Sequence, residues 1–118
     1  MKRIVLGSKL HKAMVTESVL DYEGSLGLDG ALMKAAGMIP FEQVHVYNVS
    51  NGERFSTYLI KAAEGSGTVA VYGAAAHKAG VGDKLIIVSY VLLDEEETEF
   101  TVPRVVILDE KNKVREIR

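Results

Sequence analysis

Residues 44–60 read VHVYNVSNGERFSTYLI, two apolar runs on either side of an Asn-Gly pair. The valines of Val44–Val49 alternate approximately as in a strand. Asn51 and Gly52 tolerate the positive φ angles of a type I′ turn, which makes Asn-Gly the strongest short hairpin signal. The pattern therefore predicts that Arg54–Ile60 pairs antiparallel with Val44–Val49, and the fold is expected to be built on β-structure.

Short apolar runs elsewhere in the chain also favour strands. They are Lys2–Leu6, Leu10–Thr16, Val19–Leu28 with an interruption at Gly24, Val69–Val71, Leu85–Leu92, Val102–Leu108 and Val114–Ile117. Leu85–Leu92 is apolar enough to predict burial on both faces. Many short strands in a chain of 118 residues predict a mainly β protein, a small β-barrel with one or two short helices.

The clearest helix is predicted at Asp29–Gly37, where Asp29 is a good N-cap and Gly37 a good C-terminal stop. Gly73–His77 is expected to form one helical turn, and Glu64–Gly67 and Glu110–Lys113 are expected to form turns. No linker or internal repeat divides residues 1–118, which predicts a single domain.

Composition excludes several classes of function. The chain has 47% hydrophobic and 25% charged residues and a net charge of −2, ordinary values for a globular protein. The sequence lacks the basic stripe of a nucleic-acid-binding protein and an apolar run of the roughly 20 residues that a membrane helix needs. Without cysteine it has no disulfide and no thiolate metal ligand, and a cytoplasmic location is expected.

Few motifs in the chain point to chemistry. His11, His45 and His77 lie too far apart for the spacing of a zinc site, so no metal is predicted. The glycines match neither a Walker phosphate loop nor a dinucleotide fingerprint. The acidic run Asp94–Glu97 is typical of a solvated face or a loop.

Three Gly-Ser pairs occur, Gly7-Ser8, Gly24-Ser25 and Gly65-Ser66, so the dipeptide alone is a weak signal. The last pair lies in a predicted turn, and the first is expected to be a bulge between two strands. Gly24-Ser25 differs because it interrupts a β-rich run, DYEGSLGLD (residues 21–29), directly after an aromatic and an acidic residue. Glycine in a strand marks a bulge, a bend or a close backbone approach.

Six segments in order resemble the pyruvoyl-dependent aspartate 1-decarboxylase family over about residues 1–110. They are KLHKAMVTES (9–18), DYEGSLGLD (21–29), AAGMIPFEQV (35–44), YNVSNGERFSTY (47–58), YGAAAHKAGVGD (72–83) and LIIVSY (85–90). The resemblance implies a double-psi β-barrel that assembles as a homotetramer with active sites between subunits. It also implies conversion of L-aspartate to β-alanine for pantothenate and coenzyme A synthesis.

The resemblance implies that the chain is an inactive proenzyme that cuts itself between Gly24 and Ser25. Ser25 would then become a covalent pyruvoyl group, which forms a Schiff base with aspartate, so neither pyridoxal phosphate nor a metal is expected. The need for a separate maturation factor stays open at this level.

Further roles follow from the resemblance residue by residue. Tyr58 matches the proton donor, and Thr57 matches a residue of self-cleavage and substrate contact. Arg54 and Lys9 match ligands of the substrate carboxylates, with His11 as a supporting contact. On an ideal strand Thr57 faces away from Arg54 and Tyr58, so a twist or bulge is expected to bring it to the site.

The segment Gly73, Ala74 and Ala75 matches the backbone that binds substrate, and Tyr22 lies next to the bond to be cut. Tyr72 stands where many family members have an asparagine whose amide helps to hold an intermediate; a tyrosine hydroxyl would substitute in part. From the residues alone, a non-catalytic, uncut barrel that serves as a binding module is the alternative, and it predicts tolerance of Ser25→Ala.

Overall fold

The computed structural model describes residues 1–99 and 101–118. Nine strands occur in this part of the chain: β1 (Lys2–Met14), β2 (Glu17–Val19), β3 (Ser25–Asp29), β4 (Gln43–Asn48), β5 (Arg54–Ala62), β6 (Val69–Tyr72), β7 (Lys84–Asp94), β8 (Arg104–Leu108) and β9 (Val114–Ile117). Helix α1 covers Gly30–Ala36, a 3₁₀ turn covers Gly73–His77 and helix α2 covers Glu95–Thr98.

The strands form one sheet in the order β2-β6-β3-β5-β4-β7-β1-β8-β9. Only Val15 and Thr16 separate β1 from β2, and Thr16 N donates to the Val69 carbonyl at 2.8 Å. Because β1 continues into β2, the sheet returns to its own first strand and closes into a barrel, with the β8–β9 hairpin added beside β1. The predicted fold class, a small β-barrel with few short helices, is confirmed.

Alternation along the strands separates an inner face from an outer face. Leu10, Leu26, Leu59 and Ile87 are fully buried and belong to the inner, core-forming face. Val44 and Val46 on β4 also point inward, whereas the residues between and after them, His45 and Tyr47, lie on the outer face. Only side chains on the same face of the sheet can contact one another.

Helix α1 follows the prediction for Asp29–Gly37. The Asp29 carboxylate accepts from Ala31 N at 2.8 Å and also from Gly65 N and Gly67 N, so it ties the helix to the predicted turn at 64–67. Burial disfavours the charged form of Asp29, but the N–H donors of Gly67, Ala31 and Gly65 outweigh it and lower its pKa below 3.8. Gly37 ends the helix at φ 70°.

The predicted hairpin is confirmed, with Gln43–Tyr47 paired to Arg54–Tyr58. Its predicted type I′ turn is wrong. Asn48 N donates to the Glu53 carbonyl and Gly52 N to the Asn48 carbonyl, both at 2.8 Å, so four residues form the loop. Asn51 does not adopt positive φ; its side-chain oxygen accepts from Glu53 N at 2.9 Å, a local bond that competes with the two-residue turn.

Several predicted boundaries need correction. The two strands predicted at Lys2–Leu6 and Leu10–Thr16 are one strand, β1, which ends at Met14. Its register shifts between Leu6 and Ser8, so the predicted bulge at Gly7 is present without a break. Val19–Leu28 is two strands, because a bend at residues 20–24 separates β2 from β3. β8 begins only at Arg104.

One expectation about burial is partly wrong and another is confirmed. In Leu85–Leu92 the residues up to Ser89 are buried or half-buried, but Tyr90 and Leu92 are exposed. The acidic run forms the solvated face that was one of its two expectations, in helix α2, where Asp94 and Glu97 complete a capping box.

Candidate active site

The Gly24-Ser25 bond lies at the border between a bend and a strand. Gly24 is exposed in the bend, whereas Ser25 is the first residue of β3 and only 3% exposed. Ser25 pairs with Tyr72 on β6. The other two Gly-Ser pairs differ: Gly7-Ser8 lies within β1, and Gly65-Ser66 lies in an exposed turn.

Gly73 packs directly against this bond. A Cβ atom at Gly73 would lie 2.6 Å from Gly24 Cα, 2.8 Å from Gly24 N and 2.9 Å from the Tyr22 carbonyl oxygen. Gly73 also has φ +72°, a conformation that disfavours other residues. It opens the predicted turn that contains Ala74 and Ala75, and the Tyr72 side chain makes no capping hydrogen bond there. The backbone of this turn therefore starts beside the bond expected to break.

Two tyrosines cover the same region. The rings of Tyr22 and Tyr72 lie 4.8 Å apart between centroids, and a Cβ at Gly27 would meet the Tyr72 ring at 3.1 Å. The Tyr72 hydroxyl is 3.5 Å from Glu17 Oε2. Burial, followed by the charge of Glu17, the nearby Tyr22 and the hydrogen bond to Glu17, raises the Tyr72 pKa above 10.0, so this phenol stays protonated at neutral pH.

Strand β5 carries three of the predicted site residues. Leu26 on β3 pairs with Leu59 on β5 in a parallel ladder, and both side chains belong to the core. The residues one position earlier, Ser25 and Tyr58, are therefore neighbours on the outer face. Thr57 pairs with the buried Val44 on β4 and lies on the inner face, one residue before Tyr58. The β4–β5 ladder runs through Thr57 without a shift of register, so the bulge expected at this residue is absent.

Arg54 shares the outer face with Tyr58 but lies four residues away, about 13 Å along the strand. Its guanidinium stacks on the Tyr47 ring, with Cζ 4.3 Å from the ring centroid. A substrate carboxylate that binds Arg54 must therefore approach from the outer face of β4 and β5.

Lys9 and His11 alternate on one face of β1. Their partners Val88 and Ile86 on β7 also pair with His45 and Tyr47, which places all of these residues on the outer face. Strands β7, β4 and β5 nevertheless separate β1 from β3. Within the described residues neither side chain has a hydrogen bond or ion pair to the Gly24-Ser25 segment, so one chain does not bring Lys9 and His11 to the cleavage bond.

The environment of His11 is itself unusual. Its Nδ1 atom is buried without a hydrogen-bond partner among residues 1–99 and 101–118. Burial, together with the positive charges of Lys9, Lys12 and Arg118, lowers the His11 pKa below 6.5 and favours the neutral ring.

Sequence comparisons with known proteins identify the family. The family model described as aspartate decarboxylase matches residues 1–115. The chain belongs to the aspartate decarboxylase family. The resemblance drawn from the six sequence segments is thereby confirmed.

Curated relatives in this family span almost the same length as the chain. The aspartate 1-decarboxylase of Bordetella avium (strain 197N) is 54% identical over 118 residues, covering 100% of this chain and 97% of its own. Those of Methylibium petroleiphilum and Ralstonia nicotianae are 52% and 51% identical, each covering 100% of this chain and 98% of their own.

The structure places aromatic residues next to Arg54 that the sequence analysis did not predict as part of the site. Tyr90 contacts both Tyr47 and His45 on the outer face, and the three side chains line an open cleft of about 590 Å³. The sequence does contain a sign of this group: His45 and Tyr47 alternate with buried valines, so both lie on the outer face. The hairpin pairing then puts Arg54 opposite Tyr47 on that face.

Neither a metal cluster nor a membrane helix accompanies this site. In residues 1–99 and 101–118 no three or more His, Asp or Glu side chains lie close enough together to hold a metal ion. Across the same two ranges, no helix combines the length and the apolar character needed to span a membrane.

Proposed function

We propose that this chain decarboxylates L-aspartate to β-alanine and CO₂, for pantothenate and coenzyme A synthesis, after cutting itself at Gly24-Ser25. Besides membership of the family, one observation carries the proposal: a buried serine follows an exposed glycine against which Gly73 packs without room for a Cβ. Such a close approach restricts the conformation of the bond to be cut.

The cut uses groups of the chain itself. Ser25 Oγ attacks the carbonyl carbon of Gly24, the C–N bond breaks, and an ester with a free amine on residue 25 replaces the amide. Glycine has no Cβ to obstruct this attack. Thr57, which precedes Tyr58 on β5, is proposed to donate to the oxyanion. Loss of the Cα proton of residue 25 then expels the Gly24 carboxylate, and water replaces the nitrogen, which leaves as ammonia.

Position 25 is suited to hold the resulting pyruvoyl group. After the cut it remains the first residue of β3, which is hydrogen-bonded to β5 on one side and β6 on the other. The pyruvoyl group supplies the electron sink that decarboxylation requires. Tyr58, its neighbour on the outer face, is proposed as the proton donor, because its phenol O–H can deliver a proton as a general acid.

Charged and backbone groups are proposed to hold the two substrate carboxylates. Arg54 offers a planar fork for bidentate binding, and Lys9 offers a second positive charge. The N–H groups of Gly73, Ala74 and Ala75 begin a turn that has no side-chain cap, and they are proposed to bind substrate next to residue 25. Tyr22 and Tyr72 are proposed to shape the surroundings of the cleavage bond, with His11 as a supporting contact.

We further propose that residues 1–118 act as one domain within a homotetramer whose active sites lie between subunits. The distance of Lys9 and His11 from Ser25 within one chain supports this, because a second copy can bring them closer. Ile39 and Phe41 are also 64% and 73% exposed, and Phe41 is held at φ 69°. A second copy of the chain would remove such exposed apolar side chains from water. The cytoplasmic location stays a prediction.

The experiment is intact-mass analysis of the purified chain followed by a β-alanine assay. We expect fragments of residues 1–24 and 25–118, the larger beginning in a pyruvoyl group, together with turnover of L-aspartate. Ser25→Ala should stay whole at 12.9 kDa and be inactive. Ser66→Ala is the matched control, since its serine also follows a glycine but lies in an exposed turn, and it should mature normally.

The opposite outcome defines the alternative. A wild-type chain that stays intact after prolonged incubation and forms no β-alanine would support a non-catalytic binding module. Cleavage of Ser25→Ala would place the cut elsewhere.

A further inference from the structure

The guanidinium of Arg54 is held by an aromatic ring. Arg54 and Tyr47 are directly opposite each other in the β5–β4 ladder, and Arg54 Cζ lies 4.3 Å from the centre of the Tyr47 ring. A cation stacked on an aromatic face is attracted by the ring quadrupole. Stacking also fixes the plane of the guanidinium while leaving its N–H edge free for a carboxylate.

Tyr47 is itself held by a third strand. Its hydroxyl lies 2.7 Å from the hydroxyl of Tyr90 on β7, and the Tyr90 ring meets His45 edge-on at 5.2 Å. Tyr47 pairs with Ile86 on β7, so Tyr90 lies four residues, about 13 Å, further along that strand. The two rings must therefore lean toward each other across the outer face for their hydroxyls to meet.

This arrangement lies outside the core. Tyr90 is 39% exposed, and the inner-face neighbours of these strands, not the tyrosines, form the hydrophobic cluster. The hydrogen bond with Tyr47, followed by burial, raises the Tyr90 pKa above 10.0, so the Tyr90 phenol keeps its proton at neutral pH. A hydrogen bond between two surface hydroxyls adds little to the stability of the fold, because water can form the same bond with each hydroxyl. The hydrogen bond does fix the tilt of the Tyr47 ring.

We propose that Tyr90 and Tyr47 are positioning residues that orient Arg54 for the substrate carboxylate. The Tyr90 hydroxyl holds the Tyr47 hydroxyl, and the Tyr47 ring in turn holds the guanidinium. This rests on the proposed function, in which Arg54 binds a carboxylate of aspartate. An arginine side chain that is oriented beforehand loses less rotamer freedom when substrate binds. Loss of this orientation should therefore weaken substrate binding more than it slows the chemical step.

The test is steady-state kinetics of L-aspartate turnover by matured Tyr90→Phe, which removes one hydroxyl and keeps the ring. We expect KM to rise about three- to tenfold, the effect of one lost hydrogen bond, with kcat within about twofold of wild type. Tyr47→Phe should behave like Tyr90→Phe. Tyr47→Leu removes the stacking ring as well and should raise KM further.

Two further measurements separate positioning from general damage. The dissociation constant of succinate, which has two carboxylates and no amine, should rise in Tyr90→Phe by the same factor when measured by calorimetry. In an Arg54→Lys background, which lacks the planar fork, Tyr90→Phe should cause no additional change in KM. Mass analysis should show normal cleavage in every variant.

The outcomes distinguish the two proposals. Wild-type turnover with an unchanged KM and succinate affinity in Tyr90→Phe overturns the positioning role alone. An equal effect of Tyr90→Phe with and without Arg54→Lys also overturns it. A wild-type chain that is neither cut nor active overturns the proposed function, and the positioning role falls with it.

Discussion

Gly73→Ala tests the packing against the cleavage bond most directly. The added Cβ would lie 2.6 Å from Gly24 Cα, whereas ordinary contact begins near 3.4 Å, so Gly24 or the turn must move by about 0.8 Å. Alanine at φ +72° costs a further ~1–2 kcal/mol. With ~1–3 kcal/mol for overpacking, the free energy of unfolding should fall by about 2–5 kcal/mol.

The displacement should affect cleavage more strongly than stability. A misplacement of about 1 Å in a reacting geometry costs on the order of 10²-fold in rate. We therefore expect the half-time of self-cleavage, followed by intact mass, to lengthen about 100-fold in Gly73→Ala. Stability is measured separately by urea unfolding in a Ser25→Ala background, so that cleavage does not alter the chain during the experiment.

Gly82→Ala is the matched control. Gly82 has φ +91°, and a Cβ added there would have no atom of the described residues within 4 Å, so alanine carries the conformational cost without the contact. It should lose ~1–2 kcal/mol and mature at the normal rate. Equal cleavage rates in Gly73→Ala and Gly82→Ala would refute the reasoning that contact with Gly24 controls the cut.

Three further predictions concern other residues. Tyr58→Phe should mature normally but lose about 10²-fold or more in turnover, measured as β-alanine formed; full turnover would remove Tyr58 from the role of proton donor. Asp29→Asn should lower stability by ~1.5–3 kcal/mol at pH 7 in urea titrations. Folding lowers the Asp29 pKa, so the stability that its carboxylate contributes is complete above the unfolded pKa of 3.8 and is lost as pH falls through the lower folded pKa. The stabilities of wild type and Asp29→Asn should therefore converge in acid. A difference in stability that stays constant with pH would contradict this. Gly27→Ala should destabilise by ~1–3 kcal/mol through contact with the Tyr72 ring, and Tyr72→Asn should remove that cost, so simple additivity in the double variant would argue against the contact.

Local signals predicted much of the fold. The helix at Asp29–Gly37 was predicted from its cap residues, because capping depends on neighbours in sequence. The β4–β5 hairpin was predicted for the same reason. The turn type at Asn51-Gly52 was not, because side-chain bonds to the backbone, such as that from Glu53 N to Asn51, compete with a two-residue turn.

The candidate site was predicted less completely. The resemblance named Gly24, Ser25 and Gly73, and the structure brings these three together. It also named Lys9, which stays apart from them within the chain. Tyr90 was not named at all, since its contact with Tyr47 joins residues 43 positions apart and depends on the order of the strands.

The sequence by itself determined helix α1, the β4–β5 hairpin, the alternation of inward and outward residues, and the membership of the aspartate decarboxylase family. These properties depend on neighbouring residues or on shared motifs. Only the tertiary structure decided that Gly73 allows no side chain, that Tyr58 stands beside Ser25 and that Tyr47 holds Arg54. Those contacts join residues distant in sequence, and they exist because the barrel closes with one particular strand order and register.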